Sequence, residues 1–282
     1  MKNFIKKIIK FIKQPEENFP NFYIFAYHVL NFFQKSLIRL KIIKNSTLPQ
    51  GDMFNWSFYH LHYKGELKQG LKSRQVNTNL KPSDYQFTNN KLIQVNKNIT
   101  PLYFGQHLLY ETILQLNPES IFELGCGNGI HLYNLNVLIP RAKLFGVDLL
   151  SKQIEFLHQS YPNLPALIKQ FDATIHFPEN LLPKADLSFT QAVIMHIHTD
   201  KKHLTALANL FNLSNKYVVL VEKWRNHQFM DDIKYLFDNG LINWNNLYFY
   251  YRNLAETNQP FLIVCSNQLL NYPILTNYKI LL

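Results

Sequence analysis

Cysteine, glycine, acidic residues and long apolar runs are all scarce in this sequence, and each scarcity narrows the protein's class. Only two cysteines, Cys126 and Cys265, occur in 282 residues. One lies in a glycine turn and the other in an apolar run, so they offer no disulfide framework and a reducing compartment is expected. No apolar stretch reaches the ~18 residues that a membrane-spanning helix needs. The opening run, MKNFIKKIIKFIK, intersperses Lys with its apolar side chains and lacks the continuous apolar core of a secretory signal. Glycine appears nine times, and three of those nine fall at alternate positions, 125, 127 and 129. No Cys/His spacing suggests a metal site.

The shortage of acidic residues is local. Residues 1–100 hold 16 Lys and Arg against 5 Asp and Glu, whereas residues 101–282 hold 13 against 14. All the positive excess therefore sits in the first third. Either it is a solvated extension or it faces an anionic partner: lipid, nucleic acid or an acidic saccharide. Residues 2–13 sharpen the question. At about 100° per residue, Phe4, Ile5, Ile8, Ile9, Phe11 and Ile12 share one half of a helical wheel and five lysines share the other. That is the pattern of a helix lying on an anionic membrane surface, although a terminal helix docked on its own protein would read the same way. Charge alternating with bulky apolar residues suits lipid better than phosphate. The expected location is cytoplasmic, with the helix on the inner face of the membrane.

Residues 21–43 read as a second apolar helix, and residues 45–100 as a polar region with loops near Pro82 and Asn89-Asn90. The cluster Trp56, Tyr59, His60, His62 and Tyr63 is either an aromatic core or a lid over a pocket. From residue 101 the pattern changes to alternating helices and strands. Helices are expected over 102–116, 129–138, 151–160, 200–213 and 231–238. Strands are expected over 120–124, 143–147 and 217–222, with short ones before Asp172 and after Asp186. Two last strand-like runs, 247–251 and 261–265, suit an antiparallel hairpin. Such alternation predicts an α/β fold, a doubly wound, mostly parallel sheet with helices on both faces. The division expected is a helical, basic extension over 1–100 and a catalytic domain over 101–282.

Four elements of the second part carry chemistry. The first is Glu123-Leu124-Gly125-Cys126-Gly127-Asn128-Gly129, where an apolar strand feeds a glycine turn and a helix follows. The helix N-terminus offers N–H groups, and glycine lets a ligand approach the backbone closely. A dinucleotide site would want G-x-G-x-x-G, but Ile130 follows Gly129. The second is Asp148, at the tip of the next strand, where a carboxylate can accept both hydroxyls of a ribose. The third is Asp172 with Ala173, beyond a short strand, where an acid can accept from an adenine amino group. The fourth is the strand from Ala185 to Gln191 and the loop Ala192-Val193-Ile194-Met195-His196-Ile197, at the sheet edge that lines the ligand crevice in doubly wound folds.

In this order the four elements resemble class I S-adenosylmethionine-dependent methyltransferases, over roughly residues 100–270. The resemblance implies a Rossmann-like sheet of seven strands, the last antiparallel, and in-line transfer of a methyl group from the sulfonium. It implies that Glu123, Gly125, Gly127 and Gly129 contact the methionine part of S-adenosyl-L-methionine, Asp148 the ribose, and Asp172 with Ala173 the adenine. Gln191 and Ala192 would lie beside the cofactor, and Cys126, Asn128 and Leu149 are expected to bind it as well. A narrower likeness, over Asp186–Lys223, is to methylases of bacterial surface-sugar biosynthesis, those beside nonulosonic-acid pathways. It would suit a membrane-surface helix and a saccharide or small-molecule acceptor.

Two residues are candidates for the catalytic work. His196 stands where a general base is wanted, since an imidazole titrates near neutrality; it could equally be a packed, hydrogen-bonded histidine. His198 has a weaker case. Glu222, at the end of the fifth strand, could orient the acceptor. Three functions remain open: methylation of a hydroxyl on a small molecule or saccharide, methylation of RNA or protein held by the basic region, and a cofactor-binding scaffold without catalysis.

Overall fold

The computed structural model describes residues 79–281, except residues 179, 199 and 255–259. The chain divides into two compact units, 1–75 and 76–282, and the description concerns the second. The helices expected over 2–13 and 21–43, and the cluster at Trp56–Tyr63, lie outside the described residues. Among the described residues no helix is long and apolar enough to cross a membrane.

A hairpin opens the described chain, β1 (Tyr85–Thr88) paired antiparallel with β2 (Lys91–Gln94). Its turn is Asn89-Asn90, and both residues have positive φ, 50° and 58°. Asparagine tolerates that left-handed region better than other side chains do, and a two-residue hairpin turn requires it. There follow α1 (Phe104–Leu116), β3 (Ser120–Leu124), α2 (Ile130–Leu138), β4 (Lys143–Asp148), α3 (Ser151–Ser160) and β5 (Ala166–Gln170). The second half runs β6 (Ala185–Gln191), a short 3-10 turn (Ile194–His196), α4 (Lys202–Asn212), β7 (Ser214–Val221), α5 (Phe229–Asp238), β8 (Tyr248–Asn253) and β9 (Pro260–Ser266).

Seven strands form one sheet in the order β5-β4-β3-β6-β7-β9-β8. The first five are mutually parallel, and β9 enters antiparallel between β7 and β8. The chain's direction of growth reverses between β3 and β6, and this switch point lies beside the glycine turn. In open sheets a crevice forms there, at the carboxyl ends of the strands. The final two strands do form a hairpin, with β9 inside the sheet and β8 at its edge.

Two apolar layers cover the sheet, and strand alternation sorts residues between them. On β7, Val218 and Leu220 face one layer, with Phe211 and Phe229; Val219 and Val221 face the other, with Tyr110 and Leu132. Successive side chains point to opposite faces, and a strand covered on both sides is apolar throughout. Residues 79–100, assigned from sequence to the extension, contribute Leu80, Tyr85 and Leu92 to the second layer. They are anchored by polar contacts too. The Leu92 amide donates to Glu111 at 3.0 Å, and Arg252 on β8 binds the same carboxylate at 2.8 Å. Burial raises the Glu111 pKa, but the Leu92 amide and the Arg252 guanidinium outweigh it and hold the carboxyl below its ordinary value. The hairpin, α1 and the far edge of the sheet thus meet at one ionised carboxylate, a contact that sequence patterning did not show.

Candidate functional site

The strands β4, β3 and β6 are neighbours, so the turns that leave their carboxyl ends are neighbours as well. This is the reason that Gly125–Gly129, Asp148 and Gln191, far apart in sequence, stand at one edge. The glycine turn is drawn onto β4 by the Gly125 and Cys126 amides, both donating to the Val147 carbonyl at 2.9 Å. Gly125 and Gly129 have φ of 75° and 77°, and a Cβ on either would collide, with Val193 and Leu157 respectively. Gly127 differs: its φ is 51° and a Cβ there would meet nothing within 4 Å. Two glycines are therefore required by packing, and the third borders open space.

Asp148 closes this turn. Its Oδ2 accepts from the Gly127 amide and its Oδ1 from the Leu150 amide, each at 2.9 Å. Burial raises its pKa, and these two amides offset part of that rise. Helix α3 begins after Leu150, and its N-cap carries no side-chain bond. Each carboxylate oxygen retains a second lone pair for a ribose hydroxyl. Leu149, half-buried, turns its carbonyl to the Gln170 amide.

Glu123 is 2% exposed, and its Oε2 has no hydrogen-bond partner. Burial pushes its pKa well above the ordinary value, and the charge of Asp148 adds to the effect. A bare buried carboxylate oxygen costs free energy unless something pairs with it. An ammonium group is such a partner, so this acid, the open face of Gly127 and the Asp148 carboxylate fit a ligand that carries an amino-acid end and a ribose. Cys126 is 3% exposed, and burial pushes its thiol pKa well above the ordinary value, which favours the neutral thiol.

Asp172 and Ala173 lie in the loop after β5, beside β4. The Asp172 Oδ1 accepts from the Thr174 amide at 2.9 Å. The rings of Phe171 and Phe177, at either end of this loop, lie 4.1 Å apart at an interplanar angle of 31°. Asn209, on α4 and 4% exposed, clamps it: its amide nitrogen donates to the carbonyls of Ala173 and Ile175, and its oxygen accepts from the Phe177 amide. Asn209 was not singled out in the sequence. Its only signal there was a polar residue within the apolar run of an amphipathic helix.

Beyond β6 the backbone turns sharply. Ala192 has φ of 55° and is exposed, and the Gln191 Oε1 is buried without a partner. His196 is exposed on the 3-10 turn, its amide bonded to the Val193 carbonyl. The structure redirects Glu222. Expected to face the acceptor, it is 8% exposed and turned into the loop. Its Oε1 accepts from the Thr190 hydroxyl and the Val193 and Ile194 amides, and its Oε2 from the Met195 amide at 3.0 Å. Burial raises its pKa to about 7, against the lowering effect of these bonds. With four donors already on it, this carboxylate holds the loop.

Among the described residues no group of three or more His, Cys, Asp or Glu side chains could hold a metal ion. Residues 122–213, about a third of the chain, match the family described as methyltransferase domain. No curated protein matches the chain. Similar solved structures include an amino pentose methyltransferase from Micromonospora echinaspora, at 10% identity over 58% of this chain and 90% of that one, with a TM-score of 0.45. A TehB-like S-adenosylmethionine-dependent methyltransferase from Corynebacterium glutamicum is 17% identical over 59% and 88%, with a TM-score of 0.42. Magnesium protoporphyrin IX methyltransferase from Synechocystis is 15% identical over 57% and 76%, with a TM-score of 0.41. The strands and turns that build the site, residues 122–213, thus match the methyltransferase-domain family, on a seven-stranded sheet of the Rossmann-like methyltransferase type.

Proposed function

We propose that the protein transfers a methyl group from S-adenosyl-L-methionine to a hydroxyl of a small molecule or saccharide precursor. The observation that carries the cofactor is the arrangement at the end of β3: an unpartnered buried carboxylate oxygen on Glu123, open space over Gly127 and the Asp148 carboxylate closing the turn. Glu123 would pair with the ammonium group, Asp148 would accept from the ribose hydroxyls, and the loop of Asp172 and Ala173 would border the adenine. The cofactor, when bound, supplies an electrophilic methyl on a sulfonium. The protein's share is then to position an acceptor oxygen in line with that methyl and to take its proton. His196, exposed on the loop after β6, is our candidate for the proton acceptor.

Support for a hydroxyl acceptor is the likeness of Asp186–Lys223 to surface-sugar methylases. We also propose that residues 2–13 bring the chain to an anionic membrane surface, and that residues 1–100 select the acceptor. The basic balance of that region favours a second reading, methylation of RNA or protein. Calorimetric titration with S-adenosylmethionine and S-adenosylhomocysteine tests the cofactor: micromolar binding is expected for the wild type and none for Asp148→Ala. A folded wild type that binds neither would end the methyltransferase reading. Transfer of radiolabelled methyl to sugar nucleotides and lipid-linked saccharides, set against total RNA, separates the two acceptor classes. Deleting residues 1–14 should abolish sedimentation with anionic vesicles; unchanged sedimentation would refute the membrane proposal.

A further inference from the structure

The turn Val193–His196 is closed by only two 3-10 bonds, from the His196 amide to the Val193 carbonyl and from the Ile197 amide to the Ile194 carbonyl, and most of its other backbone groups are met by one neighbouring segment. The amides of Val193, Ile194 and Met195 all donate to the Glu222 carboxylate. The carbonyl of Met195 accepts from the Asn226 side chain at 2.8 Å, and that of Ile194 accepts from the His227 Nε2 at 3.1 Å. Residues 222–227 are held in turn by the Tyr278 hydroxyl, which donates to the carbonyls of Trp224 and His227. The Val193 side chain fills the space that a Cβ on Gly125 would need, so the turn also packs on the glycine turn.

We propose that Glu222, with Asn226 and His227, is a positioning residue for methyl transfer: its ionised carboxylate templates the Val193–His196 turn, and thereby sets both the cofactor turn beneath it and the histidines displayed on it. The proposal rests on the methyltransferase reading for what the turn serves, but the template itself is a matter of hydrogen bonds. An ionised carboxylate is purely an acceptor, and here it meets four donors. Glutamine in its place sets an NH2 against one or more of these donors, leaves a backbone amide of the turn without an acceptor, and so loosens the turn.

The titratable groups around this turn come from every element packed on it. Glu222 follows β7. His227 follows it in the next turn and stacks on His203 of α4 at 4.1 Å. His203 lies 3.4 Å from Asp232 of α5. His198, on the chain leaving the turn, lies 5.3 Å from the His227 ring. Burial first, then the charges of His203 and His198, hold the His227 pKa down to about 4. His227 is thus neutral near pH 7 and donates through Nε2–H. Burial raises the Glu222 pKa to about 7, against the lowering effect of its four hydrogen bonds.

The test uses the full-length protein and S-adenosylhomocysteine as the probe. Amide hydrogen exchange at Val193, Ile194 and Met195 is measured in wild type and Glu222→Gln, together with probe affinity at pH 6 and pH 8. Glutamine places an NH2 against one or two of the amides, so exchange there should rise at least tenfold while β3 and β7 are unchanged. The variant should also bind the probe several-fold more weakly than the wild type at both pH values. Unchanged protection at the three amides, or a variant that binds the probe as tightly as the wild type, would overturn the proposal. If Glu222→Gln does not fold, Asn226→Ala is measured in the same way: raised exchange at Val193, Ile194 and Met195 supports the template and unchanged exchange refutes it. If the wild type fails to bind the probe, the methyltransferase reading fails, and the exchange data still decide the template.

Discussion

Replacing Gly127 by Ala separates packing from ligand contact more cleanly than any other change in the glycine turn. A methyl at Gly125 or Gly129 would strike Val193 or Leu157, whereas at Gly127 it meets nothing within 4 Å. Gly127→Ala therefore carries only the cost of a left-handed residue, about 1–2 kcal/mol. For a domain of this size that lowers Tm by about 2–8 °C. Gly129→Ala adds overpacking of about 1–3 kcal/mol to the same backbone cost. If the cofactor's methionine end lies over Gly127, the new methyl enters occupied space in the complex alone. A clash of about 1–3 kcal/mol corresponds to a roughly fivefold to hundredfold loss of affinity. Calorimetry with S-adenosylhomocysteine and thermal melting of the unliganded variants measure the two quantities separately. A Gly127→Ala protein that melts a few degrees lower and binds as tightly as wild type would refute the placement of the cofactor over this turn.

Further consequences follow from the same contacts. Glu222 has a folded pKa of about 7 against an ordinary 4.5. A raised carboxyl pKa means that its contribution to stability is fully present below pH 4.5 and is lost as pH rises through 7, by up to about 3 kcal/mol. His227 acts in the other direction: with a pKa lowered from 6.5 to about 4, its contribution is present above 6.5 and lost as pH falls through 4. Urea unfolding from pH 4 to 8 should show both slopes, and Glu222→Gln should remove the loss between 4.5 and 7. Asn209→Ala removes three hydrogen bonds to the 173–177 loop, and should cost about 1–3 kcal/mol and raise amide exchange at Phe177. Equal protection in the variant would sink the clamp. Arg252→Ala leaves the buried Glu111 with the Leu92 amide and, at 3.7 Å, the exposed Lys91 ammonium, and a loss of about 3–5 kcal/mol is expected in chemical unfolding; a loss below about 1 kcal/mol would show that these two partners suffice.

The alternation of strands and helices from residue 101, the glycine turn and the acids at strand tips were all legible in sequence, because each is local. The period of apolar residues sets the element, a G-x-G-x-G run sets a turn that a side chain would obstruct, and an acid at a strand end must stand at the carboxyl edge. The short hairpin β1–β2 was less legible: its strands are four residues each, and only its Asn-Asn turn carried a signal. Glu222 shows the limit best. Its place at the end of β7 was evident from the apolar run before it, and from that place a role towards the acceptor was a fair expectation. What its carboxylate faces depends on three amides some thirty residues earlier, at the end of a strand that pairs with its own. Asn209, Asn226 and His227 were invisible for the same reason, since no local pattern distinguishes a polar side chain that clamps a distant loop from one that meets water. Sequence alone thus determined the elements and the residues at their tips, because secondary structure and turns are short-range. Only the tertiary structure decided which of those residues is free to meet a ligand and which is already consumed in holding the site together, because that depends on which strand lies beside which.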